Sequence, residues 1–259
     1  MEVEIDLKKS LEENAGIYFD KAKKAKKKLK GAAEAIEQTK KQLAKLEKEE
    51  SKFLKEEEKK EVKKVRKKEW YEKFHWFISS EGFLCIGGKD ATSNEIIIKK
   101  HTEKSDLVFH TEMPGSPFFI VKNGVEAGEI TLKETAQATA VYSRAWKRGL
   151  GTAEVYSIKP EQVSKTAQSG EYLTKGSFMI YGKRTYFRPK MEYAIGLVED
   201  EIISGPLSAV EKKTKKFVVV VIGKYKKSDL AKKIKHKLKG GDVDDIVKFL
   251  PTGGAEMRK

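Results

Sequence analysis

His110, Glu112 and Ser116 are the side chains whose types and spacing could support acid–base or nucleophilic chemistry. A serine nucleophile needs a base that a third group orients, and no such group is evident beside His110. Phosphate-binding loops, nucleophile elbows and His/Cys metal clusters have recognisable patterns, and none of them occurs in the sequence. We therefore expect a protein that is not an enzyme and needs no metal or cofactor. A hydrolase or nuclease that acts through His110 is kept as an alternative hypothesis.

Basic and polar side chains occupy the turns of the central part of the chain, and aromatic residues stand beside many of them. Bases of unpaired RNA stack on exposed aromatic rings while Lys and Arg contact phosphates. The pattern therefore predicts an RNA-binding surface, in which His110 ends a strand and donates to a phosphate or to a backbone carbonyl. The candidate RNA-contacting residues of this part are Lys89, Asn94, Lys99, Lys100, His110, Ser116, Lys122, Asn123, Lys165, Tyr172, Lys183, Arg184 and Arg188.

A lysine run precedes this part: residues 21–30 read KAKKAKKKLK, with seven lysines in ten positions. Positive charges four residues apart on a helix repel each other, and few nearby acids offset them. Phosphate groups would relieve that repulsion. The run is either a solvated helix face or a second RNA-contacting surface, whose candidate residues are Lys23, Lys24, Lys26, Lys27 and Lys28.

Composition favours a polyanionic partner. The 259 residues carry a net charge of +15, with a pI near 9.5, and 36% of them are charged, against about 25% in ordinary globular proteins. Cys85 is the single cysteine, which excludes an intrachain disulfide and suits a reducing cytoplasm. No apolar run is long enough to span a bilayer, and the acidic N-terminus does not resemble a signal peptide. We expect a soluble cytoplasmic protein with no membrane partner.

The elements that position these residues begin with a helix. Apolar or small residues recur every three or four positions from Leu11 to Leu46, with Phe53 in the same phase, which is a heptad seam. The seam needs a partner to bury it. That partner is either a returning segment, with the turn at Gly31 or at residues 49–51, or a second chain. We therefore predict a coiled-coil arm over residues 1–69.

From Trp70 onward short strand-like runs alternate with turns. We predict strands at 83–86, 95–99, 107–110, 118–122, 154–157, 177–181 and 185–187, and a helix at 131–147 with Thr131 as its N-cap. Beyond Arg188-Pro189 we predict strands at 193–198 and 217–222 and helices at 228–238 and 243–250. The fold class expected is α+β with a largely antiparallel sheet over residues 70–190. A small basic α/β extension is expected over residues 191–259.

Three stretches resemble the NFACT family of ribosome quality control proteins. The segment WYEKFHWFISSEGFLCIGGKDATSNEIIIKK with DLVFHTEMPGSPFFIVKN, and QVSKTAQSGEYLTKGSFMIYGKRTYF at 162–187, are similar to the family's RNA-binding domain. SLEENAGIYFDKAKKAKKKLKGAAEAI is similar to its middle coiled coil, and the tail beyond Arg188 to archaeal members. The family motifs fall on Lys89, Asp90, Asn94, Glu95, His110, Gly115, Ser116, Lys165, Gly170, Glu171, Tyr172, Lys183 and Arg184.

The resemblance implies an RNA-binding adaptor that binds the large ribosomal subunit and its rRNA, together with tRNA, on stalled nascent-chain complexes. It also implies support for template-free C-terminal tailing, with peptide-bond formation left to the ribosome. The family's N-terminal domain and helix-hairpin-helix element have no match in the printed sequence, so we expect a fragment or a natural short form. The further partner is that missing domain, or a second copy bound through the coiled coil. The alternative function is a coiled-coil dimerisation or protein-interaction module with generic polyanion binding.

Overall fold

The computed structural model describes residues 4–61, 69–166 and 174–258, and only the backbone of residues 50–61. Tyr172, Gly170 and Glu171 from the family motifs lie outside the described residues. The chain divides into two compact units, Met1–Lys67 and Lys68–Lys259. Each unit is described by itself below.

The described part of the first unit, residues 4–61, contains one helix, α1 (Leu11–Glu61), of 51 residues, which corresponds to about 76 Å. A reciprocal cap begins it: the Ser10 hydroxyl accepts from the Glu13 amide at 3.1 Å, and the Glu13 carboxylate accepts from the Ser10 amide at 2.8 Å. The predicted turn at Gly31 or at 49–51 is wrong, because α1 is continuous through both places. A single glycine costs a helix only about 1 kcal/mol, so Gly31 does not interrupt it.

The second unit alternates strands with shorter helices. Its helices are α2 (Ala91–Lys100), α3 (Glu129–Val141), α4 (Arg144–Lys147), α5 (Leu207–Glu211), α6 (Lys227–Leu238) and α7 (Val243–Phe249). Its strands are β1 (His75–Ile78), β2 (Leu84–Gly87), β3 (Leu107–Thr111), β4 (Phe119–Val121), β5 (Val155–Ile158), β6 (Val163–Ser164), β7 (Met179–Ile180), β8 (Thr185–Phe187), β9 (Glu192–Val198), β10 (Glu201–Gly205), β11 (Phe217–Tyr225) and β12 (Ala255–Met257).

Among the described residues of the second unit, all strand pairs are antiparallel. One sheet has the order β1-β2-β4-β3-β5-β8, a second has β10-β9-β11-β12, and β6 pairs with β7. A long N-terminal helix followed by antiparallel sheets confirms the predicted α+β class.

The alternation of side chains along the strands divides the core into two clusters. On β3, Phe109 enters the larger cluster and Val108 the smaller one. The larger cluster also contains Tyr193 and Ile195 of β9 together with Phe77 of β1. Both sheets therefore share one core. The boundary that we place at residue 190 stays a prediction.

Three local predictions are wrong. The single helix expected at 131–147 is divided into α3 and α4, because Ser143 caps α4 by accepting from the Ala145 amide at 3.1 Å. Residues 95–99 are not a strand but lie in α2, because Asp90 caps that helix by accepting from the Ser93 amide at 2.7 Å. Thr131 is not an N-cap but lies inside α3, whose cap is Gly128. The carboxylate of Glu81, distant in sequence, accepts from the Thr131 amide at 2.9 Å and lowers the demand for a local cap.

Across residues 4–61, 69–166 and 174–258, no helix combines the length and apolar composition that crossing a bilayer requires.

Candidate nucleic-acid interface

Two loops of the second unit are joined by one buried amide. Asn94, on the first turns of α2, donates to the Ser116 carbonyl oxygen at 3.4 Å and accepts from the Phe118 amide at 3.1 Å. Gly88, just before the helix, lies so close that a Cβ there would overlap the Asn94 side-chain oxygen. The Gly-Gly-Lys-Asp turn after β2 is therefore held against the loop between β3 and β4.

The loop between β3 and β4 is closed by its own hydroxyl groups. The Thr111 hydroxyl bonds to that of Ser116, and Ser116 also donates to the Met113 carbonyl oxygen at 2.9 Å. Gly115 adopts φ +82°, and a Cβ there would overlap the Arg144 guanidinium group. The loop thus needs glycine at 115 both for its backbone conformation and for the close approach of Arg144 from α4.

A groove of about 670 Å³ opens between these loops. Its walls come from the turn that precedes α2, from the loop between β3 and β4, and from residues 175–180. Tyr142 and Arg144 line it from the region that joins α3 to α4, and Thr252 from the C-terminal extension. We call this concavity the loop groove.

Three cations line the loop groove without an ion pair in the part of the chain that the structure describes: Lys89, Arg144 and Lys175. Asp90, which also lines the groove, is occupied in capping α2. Burial lowers the pKa of Lys89, with the positive charge of Lys248 adding to the shift. The groove therefore presents positive charge that its own acids do not neutralise, which suits a phosphate-bearing ligand.

An aromatic pair in the lining of the groove contains a nitrogen without a hydrogen-bond partner among the described atoms. The His75 ring stacks on Tyr142 with centroids 3.7 Å apart, and His75 Nδ1 is buried with no hydrogen-bond partner among the described atoms. Burial, with the charges of Lys89 and Lys227, lowers the His75 pKa to about 3. This imidazole is neutral at pH 7, and its Nδ1 is a buried polar atom without a partner among the described atoms.

His110 also lines the loop groove. Its ring stacks on Phe118 at 4.2 Å, and Nδ1 lies 3.4 Å from the Tyr156 hydroxyl. Burial lowers the His110 pKa to about 4, although hydrogen bonds to the backbone of Thr111 and Ser116 oppose that shift. The Ser116 hydroxyl is engaged by Thr111 and Met113 and does not form a nucleophile–base pair with His110.

Arg184 lies beside His110 in a small charged and aromatic cluster. Its guanidinium carbon stands 4.6 Å from the Tyr156 ring centre, and one of its nitrogens bonds the Glu112 carboxylate at 2.6 Å. The Tyr186 hydroxyl donates to the same carboxylate at 2.9 Å. The charge of Glu112 is thereby paired with that of Arg184, and the exposed Tyr186 ring is held beside this cluster.

The sequence-predicted residues fall into three groups. The loop groove brings together Lys89, Asn94, His110, Ser116 and Arg184. Exposed positions outside it hold Lys99, Lys100 and Lys183, and the five lysines of the run on α1 are exposed on the other unit. Tyr172 lies outside the described residues.

The third group is engaged in internal contacts. Lys122 bonds Asp106 at 2.8 Å and Glu103 at 3.1 Å, and Lys165 bonds Glu95 at 2.6 Å. Asn123 shapes a turn with φ 53°, and Arg188 pairs with Glu154 at 2.8 Å. That these four residues contact RNA stays a prediction. In the structure, each of them has a role inside the fold, as an ion-pair partner or as a turn residue.

Sequence reasoning did not select His75, Arg144, Tyr156 or Lys175 as site residues. Lys175 was recognisable as one more lysine in a turn beside aromatic residues. Arg144 and His75 reach the groove only through the packing of α4 and β1, which no local pattern signals. Within the described ranges, no three His, Cys, Asp or Glu side chains are grouped so that they could hold a metal ion.

Comparison with known proteins shows which family the chain is similar to. Residues 73–182 match the family described as NFACT protein RNA binding domain. The chain is 44% identical over 201 residues to the archaeal Rqc2 homolog aRqcH of Methanocaldococcus jannaschii, covering 74% of this chain and 30% of that protein.

Two animal relatives are similar over much the same length. Identity is 38% over 198 residues to the ribosome quality control complex subunit NEMF homolog of Drosophila melanogaster, covering 75% of this chain and 20% of that protein. It is 40% over 178 residues to the NEMF subunit of Homo sapiens, covering 68% and 16%. The chain thus spans less than a third of the length of each of these relatives.

Proposed function

The chain belongs to the NFACT family, in its archaeal type, and we propose that it binds RNA as a ribosome quality control factor. The observation that carries this proposal is the loop groove inside the matched domain. Lys89, Arg144 and Lys175 converge there without ion pairs in the described part of the chain. Uncompensated positive charge in a groove attracts nucleic-acid phosphates.

In its finer form the proposal concerns the ribosome. The chain would bind the large subunit and tRNA on stalled nascent-chain complexes in the cytoplasm, and would support template-free C-terminal tailing. The support comes from the names of the relatives, which are ribosome quality control proteins. The exposed lysine run on α1 offers a second positive surface for the same class of partner.

We also propose that the chain contributes binding and not catalysis. Burial lowers the His110 pKa to about 4, which makes this imidazole a weak base at pH 7, and the Ser116 hydroxyl is already engaged by Thr111. Both observations support this reading. A His110→Ala variant would then retain any turnover measured on RNA or ester substrates, whereas abolished turnover would favour the hydrolase hypothesis.

The groove is tested by a triple variant, Lys89→Ala, Arg144→Ala and Lys175→Ala. Log affinity for a single strand falls with log salt by about 0.7 for every phosphate that the protein neutralises. With three cations removed, we expect the slope to become about 2 units shallower and the affinity to fall at least tenfold at low salt. Fluorescence anisotropy of the full chain with a labelled unpaired RNA, across a salt series, measures both quantities.

The matched control removes the same charge from exposed lysines elsewhere in the second unit, as Lys104→Ala, Lys133→Ala and Lys190→Ala. If the control and the groove variant bind with equally reduced affinity, binding depends only on net charge and the groove assignment is wrong. A reduction confined to the groove variant supports it.

One observation supports the alternative function, a coiled-coil dimerisation or protein-interaction module. Several large side chains of the heptad seam on α1 are more than half exposed in the isolated chain: Leu11, Leu29, Ile36, Leu43 and Leu46. An exposed apolar seam favours pairing with another helix. Sedimentation equilibrium that shows a concentration-dependent dimer would support this interaction role, and a monomer at all concentrations would count against it.

A further inference from the structure

The C-terminal extension carries a concentration of lysines that the loop groove does not explain. Between residues 212 and 239 the chain has twelve lysines and a single carboxylate, Asp229. In the described structure none of these lysines forms an ion pair. This segment has no arginine, so it lacks the planar fork that recognises bases and offers point charges instead.

The fold gathers these lysines on one surface. Helix α6 buries Leu230, Ala231, Ile234 and Leu238 against the sheet, and that leaves its lysines on the solvent side. Lys232, Lys235 and Lys239 follow at steps of three and four residues, so they share a face. All three are exposed.

Further lysines lie close to both ends of α6: Lys224 on β11 precedes the helix, and Lys213 and Lys216, which come before β11, lie near its C-terminal end. The ammonium group of Lys233 lies 3.4 Å from the centre of the Tyr225 ring at the end of β11. At the other end, Lys213, Lys216 and Lys239 line one open cavity. We use the name lysine band for seven exposed lysines that these contacts and spacings connect: Lys213, Lys216, Lys224, Lys232, Lys233, Lys235 and Lys239.

Among the described residues, four carboxylates lie beside band residues, and Asp242, Asp244 and Asp245 follow α6 at the start of α7. Glu199 and Asp200 line the cavity with Lys213, Asp229 lies on the exposed side of α6, and Glu256 is near Tyr225. The pKa of Tyr225 is lowered, chiefly by its hydrogen bond with Lys233 and by the charge of that lysine. Positive charge therefore dominates this surface.

The side chains around the lysine band indicate which kind of partner it can bind. The described residues 191–258 have no exposed large hydrophobic side chain. Protein interfaces rely on buried apolar or aromatic anchors, and amphipathic membrane helices insert an apolar face. The band offers neither anchor, so its complement is a partner that is charged and needs no apolar contact.

We propose that the lysine band binds the phosphate backbone of RNA, at a surface separate from the loop groove. The 12 residues of α6 span about 18 Å. At 3.4 Å per nucleotide of a helical strand this distance passes about five phosphates. Binding at this surface would depend on the charge and spacing of the phosphates and would not distinguish one base from another. It does not depend on the groove.

The test changes four band residues of the full chain: Lys216→Gln, Lys232→Gln, Lys235→Gln and Lys239→Gln. The matched control changes four exposed lysines of the central part: Lys104→Gln, Lys133→Gln, Lys159→Gln and Lys190→Gln. Both variants carry four fewer positive charges. Affinity for a 20-nucleotide unpaired RNA and for a 20-base-pair RNA duplex is measured across a salt series. Circular dichroism confirms that both variants fold.

We expect the band variant, but not the control, to bind RNA at least tenfold more weakly at low salt. The slope of log affinity against log salt should become about 3 units shallower, at 0.7 to 0.9 per phosphate contact. Equal effects of the two variants, or no effect of either, would overturn the proposal.

Two further arms separate the possible partners. Vesicles with 30% phosphatidylserine that bind the wild-type chain but not the band variant, while RNA affinity is unchanged, would assign the surface to lipid and overturn the proposal. The groove variant on the same RNAs distinguishes the two sites. If it binds more weakly while the band variant does not, only the band is refuted, and the reverse refutes only the groove.

Discussion

At the scale of single residues, His75 and His110 couple the stability of the loop groove to pH. Burial is the main cause that lowers both pKa values, to about 3 and about 4. The unfolded chain binds a proton on each imidazole below about pH 6.5, whereas the folded chain does not until its own lower pKa. The free energy of unfolding is therefore unaffected by these groups above about pH 6.5, and it decreases as the pH falls to about 4 for His110 and to about 3 for His75.

A His75→Phe variant tests this coupling. Phenylalanine keeps the ring stacked on Tyr142 and removes the unsatisfied Nδ1 atom, whose burial carries a cost of about 1–3 kcal/mol. We expect equal or higher free energy of unfolding at pH 7 and a smaller decline between pH 6.5 and 4. Urea unfolding at several pH values measures both.

The control for that variant is His236→Gln, at an exposed position on α6, which should leave the decline unchanged. A decline in His75→Phe as steep as in the wild-type chain would show that the acid sensitivity arises elsewhere.

At the scale of elements, capping determines where α2 begins, and charge determines which surface α1 presents. Asp90 and Ser93 start α2 at the groove, and the helix carries Asn94 to the two loops that it joins. Helix α1 is long and exposes the lysines at 23, 24, 26, 27 and 28, which form no ion pair in the described structure. An uncompensated lysine run on a helix is the feature from which we infer a second RNA contact.

The charge of α1 is tested by Lys23→Glu, Lys24→Glu, Lys26→Glu, Lys27→Glu and Lys28→Glu in one chain. Co-sedimentation with purified large ribosomal subunits should fall sharply, because five phosphate contacts turn into repulsions. Wild-type binding should be saturable and weaken with added salt.

A control changes Lys40, Lys41 and Lys45 to Glu on the same helix. Binding of the wild-type chain to large subunits that is no tighter than to random RNA would contradict the ribosome-specific proposal, and would leave generic polyanion binding in its place.

At the scale of the whole molecule, the second unit depends on a core that both of its larger sheets share. Tyr193, Ile195, Leu230 and Ile234 belong to the same buried cluster as Phe109. Burying one such side chain stabilises a fold by about 1.5–3 kcal/mol, and the net stability of a domain is only about 5–15 kcal/mol. The extension is therefore part of what keeps the RNA-binding domain folded.

Two truncations test this dependence. Residues 69–259 should unfold cooperatively with the same Tm as the full chain, because both buried clusters lie within them. Residues 69–190 should show no cooperative transition. Differential scanning calorimetry of the two fragments measures whether each has a cooperative transition and at what Tm. A cooperative transition of residues 69–190 would show that the extension is dispensable for folding.

Local sequence patterns were sufficient for much of the fold. The heptad spacing predicted a long helix and α1 is one, and alternation with turns predicted strands that β2, β3, β4, β5 and β8 confirm. The error at residues 95–99 has a clear cause. Three successive isoleucines favour a strand by propensity, but capping by Asp90 and burial of Ile97 under the sheet outweigh it.

The sequence by itself determined the class of the protein: the charge, the α+β pattern and the family motifs are all local properties. Only the tertiary structure decided which cations stay unpaired. Lys122 and Lys165 look like Lys89 in the sequence, yet carboxylates 16 and 70 residues away in the chain engage them. Arg144 and His75 enter the loop groove for the same reason. Ion pairing and burial depend on distances in space, and those are set by how the elements pack.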